Sequence, residues 1–224
     1  MRLSTPVNPA GVLFDLDGTL LDTAPTFTAC LNRLLAQHHR PLVTLEALRS
    51  TVSHGTNRML EYGFGITKDD SAFAHHRHHF LKQYLDNIGS HTTLFPGVAP
   101  LLEAFNRHRL PWGIVTNKPQ LYTHALLAHF KILQDAQCII SGDTLPTHKP
   151  HPAPLLAACE QLKLSPQDSW YIGDAKTDVQ ASQAAGLRSA IVYYGYIPED
   201  EDPHSWQADC YFKHAHEIGT LFDF

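Results

Sequence analysis

Val12-Leu13-Phe14-Asp15-Leu16-Asp17-Gly18-Thr19-Leu20 is the stretch on which the reading of this chain turns. Three apolar residues run into two carboxylates two positions apart, followed by a glycine. A short apolar run bounded by turn residues reads as a strand buried on both faces. Carboxylates are costly to bury without partners, so a pair at the strand's end has work other than packing. A plain Asp-Gly turn is the alternative. A calcium loop is excluded, because an EF-hand needs Glu at its twelfth position and that position, counted from Asp15, is Thr26.

Three more junctions of this kind follow. Gly113-Ile114-Val115 runs into Thr116-Asn117-Lys118-Pro119, where a hydroxyl and backbone N–H groups at a helix start suit an anion. A Thr N-cap would use the same residues. Lys149 lies in His148-Lys149-Pro150-His151-Pro152, a proline-held loop ahead of a helix. Trp170-Tyr171-Ile172 runs into Gly173-Asp174, with Asp178 four residues on. The helix dipole favours such carboxylates. Four of them at one sheet edge nonetheless repel unless a cation lies among them, and Mg²⁺ accepts carboxylate, water and phosphate oxygens together. All four junctions agree, and agreement across levels is what specifies a site.

Short apolar runs alternate with helical patterns elsewhere, the signature of a parallel sheet covered by helices. The expected strands are Val12–Leu16, Trp112–Thr116, Cys138–Ser141, Trp170–Gly173, Ala190–Tyr193 and Asp209–Phe212. Expected crossover helices span 119–129, 152–162 and 175–185, with Pro at the first turn of the first two and Gly186 closing the third. Residues 23–95 read as four helices, roughly 23–38, 44–53, 56–64 and 69–87, with no strand. The expected organisation is therefore an α/β core, 1–22 and 96–224, interrupted by a helical cap, 23–95. Open α/β sheets bind ligands at the carboxyl ends of their strands, so the cap would cover the site.

The composition agrees. The 224 residues are 43% hydrophobic, enough for a core, and only 17% charged, against a usual figure of about 25%. A formal net charge of −5 argues against nucleic acid. No stretch approaches the roughly 18 apolar residues of a membrane span, and Met1–Ala10 is polar, so a cytoplasmic protein is expected. Four scattered cysteines with no C-x-x-C pair read as buried thiols in a reducing compartment. Histidine is unusual: 16 residues, eight of them in the cap. The cap carries seven Lys or Arg against five Asp or Glu, and protonation of its histidines would make it strongly cationic as pH falls below 7.

Taken together, the four motifs resemble those of the haloacid dehalogenase (HAD) superfamily, with the whole chain and its inserted cap included. That resemblance implies a Rossmann-like fold and a Mg²⁺-dependent phosphomonoester hydrolase. Asp15 would be the nucleophile that forms an aspartyl-phosphate, and Asp17 the general acid and base. Thr116 and Lys149 would hold the phosphoryl oxygens. Asp15, Asp17 (through its carbonyl), Asp174 and Asp178 would form the metal site, Asp178 from behind the ligands. Gly18 would let the backbone approach phosphate, and Asn117 would join it in binding substrate. Val115-Thr116-Asn117-Lys118-Pro119 is similar to phosphoglycolate phosphatases. Tyr194-Gly195-Tyr196 and Trp206-Gln207-Ala208-Asp209 resemble N-acetylmuramic acid 6-phosphate phosphatases.

Asp17 argues against a dehalogenase, which lacks a carboxylate there. The cap's Lys68 and Lys82 occupy no evident position for phosphonate chemistry. A sugar-phosphate mutase shares all four motifs and stays open. A phospho-accepting receiver lacks both the cap and the paired Asp17. In the cap, Ser53-His54-Gly55-Thr56-Asn57-Arg58 falls where such caps reach the site, so His54 or Arg58 is expected to contact a small anionic phosphomonoester. His75-His76-Arg77-His78-His79 reads as a solvated helix face, because no third metal ligand accompanies the His75/His79 spacing.

Overall fold

A computed structural model describes residues 9–222; residues 1–8, within the polar N-terminal stretch, and 223–224 lie outside it. The chain builds one parallel sheet from β1 (Gly11–Phe14), β4 (Trp112–Val115), β5 (Ile139–Ile140), β6 (Ser169–Gly173), β7 (Arg188–Val192) and β8 (Cys210–Phe212). The spatial order is β5-β4-β1-β6-β7-β8. Every residue of β1, β4 and β6 is buried, which is why these strands read as unbroken apolar runs rather than alternating ones. All three end at the same edge, and the four motifs follow them or the adjacent loop.

Between β2 (Leu21–Asp22) and β3 (Thr93–Leu94) lie α1 (Ala24–Gln37), α2 (Leu45–Arg49), α3 (Gly55–Phe64) and α4 (Phe73–Asp86). The helix expected over 44–53 is in fact two pieces. Thr51 Oγ1 donates to the Leu48 carbonyl at 2.7 Å and closes α2. A 3₁₀ turn, Val52–His54, then leads into α3. The expectation of no strand in 23–95 is also corrected: β2 and β3 pair antiparallel, Leu21 with Leu94 and Asp22 with Thr93. Two-residue strands carry no periodic pattern, and their partners lie some seventy positions apart in sequence.

The remaining helices are α5 (Val98–His108), α6 (Gln120–Leu127), α7 (Ala153–Leu162) and α8 (Lys176–Ala185). Helix α5 was absent from the expected set although Val98, Leu101, Leu102 and Phe105, all buried, follow helical spacing. A single apolar cluster runs from Val12 and Phe14 of the sheet and Phe105 of α5 through Leu21, Ala24 and Phe27 to Leu31, Phe64 and Phe80 among the inserted helices. Each such side chain, fully buried, contributes roughly 1.5–3 kcal/mol, so the inserted helices are anchored to the sheet as well as to one another. All four cysteines are free thiols, and burial pushes those of Cys30, Cys138 and Cys159 up to about 11. No helix among the described residues is long and apolar enough to cross a membrane.

Candidate active site

At the end of β1 the Asp15 amide still bonds to the Ile172 carbonyl (2.9 Å), and the chain then turns tightly. The amides of Leu20 and Leu21 both donate to the Leu16 carbonyl, at 3.0 and 2.9 Å. Gly18 makes this possible with φ +85°, and a Cβ there would collide with the Asp174 carboxylate. The glycine therefore makes room for Asp174. It is not among the residues that line the cavity described below, and its amide donates to the Leu21 carbonyl at 2.9 Å.

Lys149 is the centre of the buried charge. Its ammonium lies 2.9 Å from Asp15 Oδ1 and 2.8 Å from Asp178 Oδ1, and it donates to the Tyr171 hydroxyl at 2.6 Å. Asn117 holds the Lys149 backbone from both sides. Its Nδ2 donates to the Lys149 carbonyl (2.9 Å), and its Oδ1 accepts from the Lys149 amide (3.0 Å). The Asn117 side chain is thus committed to the lysine loop, while the residue itself lines the cavity described below. Thr116 lines the cavity with Lys149 as expected, and its Oγ1 accepts from the Lys118 amide at 3.2 Å.

Asp15, Asp174 and Asp178 each offer a carboxylate oxygen within 4.8 Å of the others. Burial and the charges of Asp15 and Asp178 hold the Asp174 carboxyl well above the ordinary range. Asp15 is raised to about 6, chiefly by burial, with Lys149 opposing and Asp178 and Asp17 adding. Burial works against the Lys149 charge, but the attraction of Asp15 and Asp178 outweighs it and raises its pKa. Such repulsion among hard oxygen donors is what a divalent cation relieves, so the residues fit a metal.

Asp178 Oδ2 accepts from the amides of Asp174 (3.1 Å) and Ala175 (2.9 Å), while Oδ1 takes Lys149. Its two oxygens thus hold the lysine and the turn. The Asp17 carboxylate turns the other way, toward Thr23 Oγ1 (2.7 Å) and the Lys118 ammonium (3.0 and 3.1 Å). With Asp178, Asp15 and Asp174 are the carboxylates that could hold a cation. Asp174 is steered by Thr19 Oγ1 (3.0 Å) and the Tyr196 amide (2.7 Å).

Asp15, Asp17, Thr116 and Lys149 open into a cavity of about 440 Å³ whose opposite wall comes from the inserted helices, including His54, Asn57 and Arg77. His54 stands where it was expected. Arg58 does not: it points away and pairs with Glu61 at 3.3 Å on the exposed surface. Arg77 takes that place, its Nε donating to Asn57 Oδ1 at 3.2 Å. It sits within the histidine row expected to be solvated, and helical phase alone does not say which member of such a row faces the sheet edge. The row also does not charge as a block. His76 is buried against Phe64, with ring centroids 4.3 Å apart. Burial and its histidine neighbours lower its pKa, and the same causes lower His79.

Lys118 is the second residue that the sequence left without a role. It is 8% exposed despite its charge, and only its place just after a buried strand hinted at this. Besides Asp17, it donates to the Tyr84 hydroxyl of α4 at 2.8 Å.

Comparison with known proteins agrees with this geometry. The model of the family described as haloacid dehalogenase-like hydrolase matches residues 12–192. A phosphoglycolate phosphatase of Xylella fastidiosa (strain 9a5c) is 41% identical over 208 residues, 93% of this chain and 90% of its own. An N-acetylmuramic acid 6-phosphate phosphatase of Pseudomonas putida (strain KT2440) is 35% identical over 212 residues, 95% of each. A crystal structure from Haemophilus somnus 129PT, described as a predicted phosphoglycolate phosphatase, superposes with a TM-score of 0.85 at 25% identity, covering 96% of this chain and 98% of that one. The match thus extends from β1 to the end of β7 and over nine-tenths of two relatives, and the chain belongs to the haloacid dehalogenase-like hydrolase family.

Proposed function

We propose that this protein is a Mg²⁺-dependent phosphomonoesterase acting on a small carboxylate-bearing metabolite through an aspartyl-phosphate. The observation that carries the reading is the division of labour between Asp15 and Asp17. One sits against Lys149 and the acidic group, the other against Lys118 and Thr23, and both face one cavity.

Asp15 attacks phosphorus as a carboxylate nucleophile. The ester P–O bond breaks, and its electron pair leaves on the departing oxygen, which takes a proton from Asp17. Asp17, now a carboxylate, removes a proton from the water that attacks the aspartyl-phosphate; inorganic phosphate leaves and both aspartates are restored. Lys149 and Thr116 hold the oxygens on which charge accumulates, where fixed charge is worth most. Asp15, Asp174 and the Asp17 carbonyl would hold Mg²⁺, which when bound supplies positive charge beside the carboxylates. Residues 23–95 act as a cap, presenting His54 and Arg77 to the part of the substrate remote from phosphorus.

Phosphoglycolate and N-acetylmuramic acid 6-phosphate both carry the carboxylate that an arginine pairs with. Pockets for drug-sized ligands run from about 300 to 1,000 Å³, so the 440 Å³ cavity favours the larger acid as a second reading. The test is turnover of p-nitrophenyl phosphate with Mg²⁺ and after chelation, by wild type and Asp15→Asn. Hydrolysis by wild type with Mg²⁺ alone is expected, and equal rates for the two proteins overturn the assignment. A panel of both acids with β-glucose 1-phosphate then ranks the substrates. Isomerisation of the last, with the acids left intact, would replace the phosphatase reading by the mutase.

A further inference from the structure

We infer that Lys118 is a positioning residue for the proton transfer at Asp17, and that the inserted helices complete it through Tyr84. The inference rests on the phosphatase reading above, and it assigns work to a residue that neither the motif pattern nor that mechanism uses.

The Lys118 ammonium is enclosed. It donates to both oxygens of Asp17 (3.0 and 3.1 Å) and to the Tyr84 hydroxyl (2.8 Å). It also lies 4.9 Å from the Phe27 ring centroid and 4.7 Å from that of Tyr84, close enough for cation–π attraction. Those two rings stack with centroids 4.1 Å apart and an interplanar angle of 13°. Phe27 belongs to α1 and Tyr84 to α4, so a charge rooted in the core is caged by two helices of the insertion. A lysine this deeply desolvated holds its place only while its partners stay in register.

The pattern of contacts selects an atom. Asp17 Oδ1 accepts from Thr23 Oγ1 (2.7 Å) as well as from Lys118. Oδ2 accepts from Lys118 alone. Oδ2 is therefore the oxygen with room for the proton that passes to the departing alkoxide, as the P–O bond breaks and its electrons settle on that oxygen. Lys118 fixes the carboxylate plane, and Tyr84 fixes Lys118. Seating the helices over the sheet thereby orients the general acid.

The experiment uses the full chain with Mg²⁺, comparing wild type, Lys118→Met and Tyr84→Phe. The two substrates are p-nitrophenyl phosphate and whichever of phosphoglycolate and N-acetylmuramic acid 6-phosphate the wild type hydrolyses. An aryl leaving group departs with little need of a proton, whereas an alkoxide needs one, and general acid catalysis is worth about 10²–10⁴-fold. Lys118→Met is expected to lose about 100-fold more kcat on the alkyl phosphate than on the aryl one, with KM changed less than about threefold. Tyr84→Phe is expected to lose about 5-fold more on the alkyl ester at an unchanged melting temperature. Equal losses on both substrates mean a structural role and overturn the inference, as does an unaffected kcat. If Lys118→Met does not fold, Tyr84→Phe decides alone by the same ratio. Failure of the phosphatase reading is distinct, since wild type would then match Asp15→Asn on p-nitrophenyl phosphate and hydrolyse neither acid.

Discussion

The Lys149 ammonium lies 2.9 Å from the Asp15 carboxylate, the lysine almost fully enclosed and the aspartate largely so. The same nitrogen also holds Asp178 at 2.8 Å, so one cation compensates two buried anions. Removing one partner of a buried pair costs about 3–5 kcal/mol. In metal-free buffer, Lys149→Met is expected to lower the melting temperature by about 6 °C or more and to abolish turnover. A melting temperature within about 2 °C of wild type would contradict the compensation described here.

Asp15 itself provides a pH signature. Its pKa is raised from 3.8 to about 6, so the native state binds this proton more tightly than the unfolded chain does. The sign follows from linkage: the contribution is present below about pH 4 and is lost as pH rises to about 6. At about 1.4 kcal/mol per unit, the loss is on the order of 3 kcal/mol. Asparagine has no proton to lose. The stability of metal-free Asp15→Asn relative to wild type should therefore climb between pH 4 and 6 and level off above, as measured by urea unfolding. A difference that is flat or falls across that window would refute the burial argument.

Arg77 and Arg58 separate by substrate. Arg77→Gln is expected to raise KM at least about 10-fold for the carboxylate-bearing phosphate and less than about 3-fold for p-nitrophenyl phosphate, since a bidentate pair is lost only in the first case. Arg58→Gln, whose side chain is turned out of the cavity to Glu61, should leave both constants within about 2-fold. Steady-state kinetics on the two substrates are the check.

Tyr196 ties the loop after β7 to the start of α1. Its hydroxyl accepts from the amides of Thr23 (2.6 Å) and Ala24 (2.9 Å) and donates to Asp22 (2.8 Å). Tyr196→Phe leaves buried amides without an acceptor, a cost of about 1–3 kcal/mol, or a fall of roughly 2–12 °C in melting temperature. Because Thr23 also holds Asp17, kcat should fall with it. A drop in stability alone would show that these bonds do not reach the acid.

Sequence by itself determined the parallel sheet and the positions of the four motifs. Strands buried on both faces must be uniformly apolar, so Val12-Leu13-Phe14 and Trp170-Tyr171-Ile172 announce themselves and mark the carboxylates at their ends. The inserted helices were legible by their spacing, except that the one expected over 44–53 breaks after Arg49. The β2–β3 ribbon was not legible, because pairing two dipeptides across seventy residues is decided by where the sheet and the helices place them. The direction of each long polar side chain likewise belongs to tertiary structure. Arg58 and Arg77 have the same chemistry, and only packing turns one to solvent and the other to the cavity. Asn117 and Lys118 stand in one motif, yet the first grips a neighbouring loop and the second is buried between Asp17 and Tyr84. A motif states which groups are present; which of them meet depends on desolvation, because a buried charge goes where its partners are.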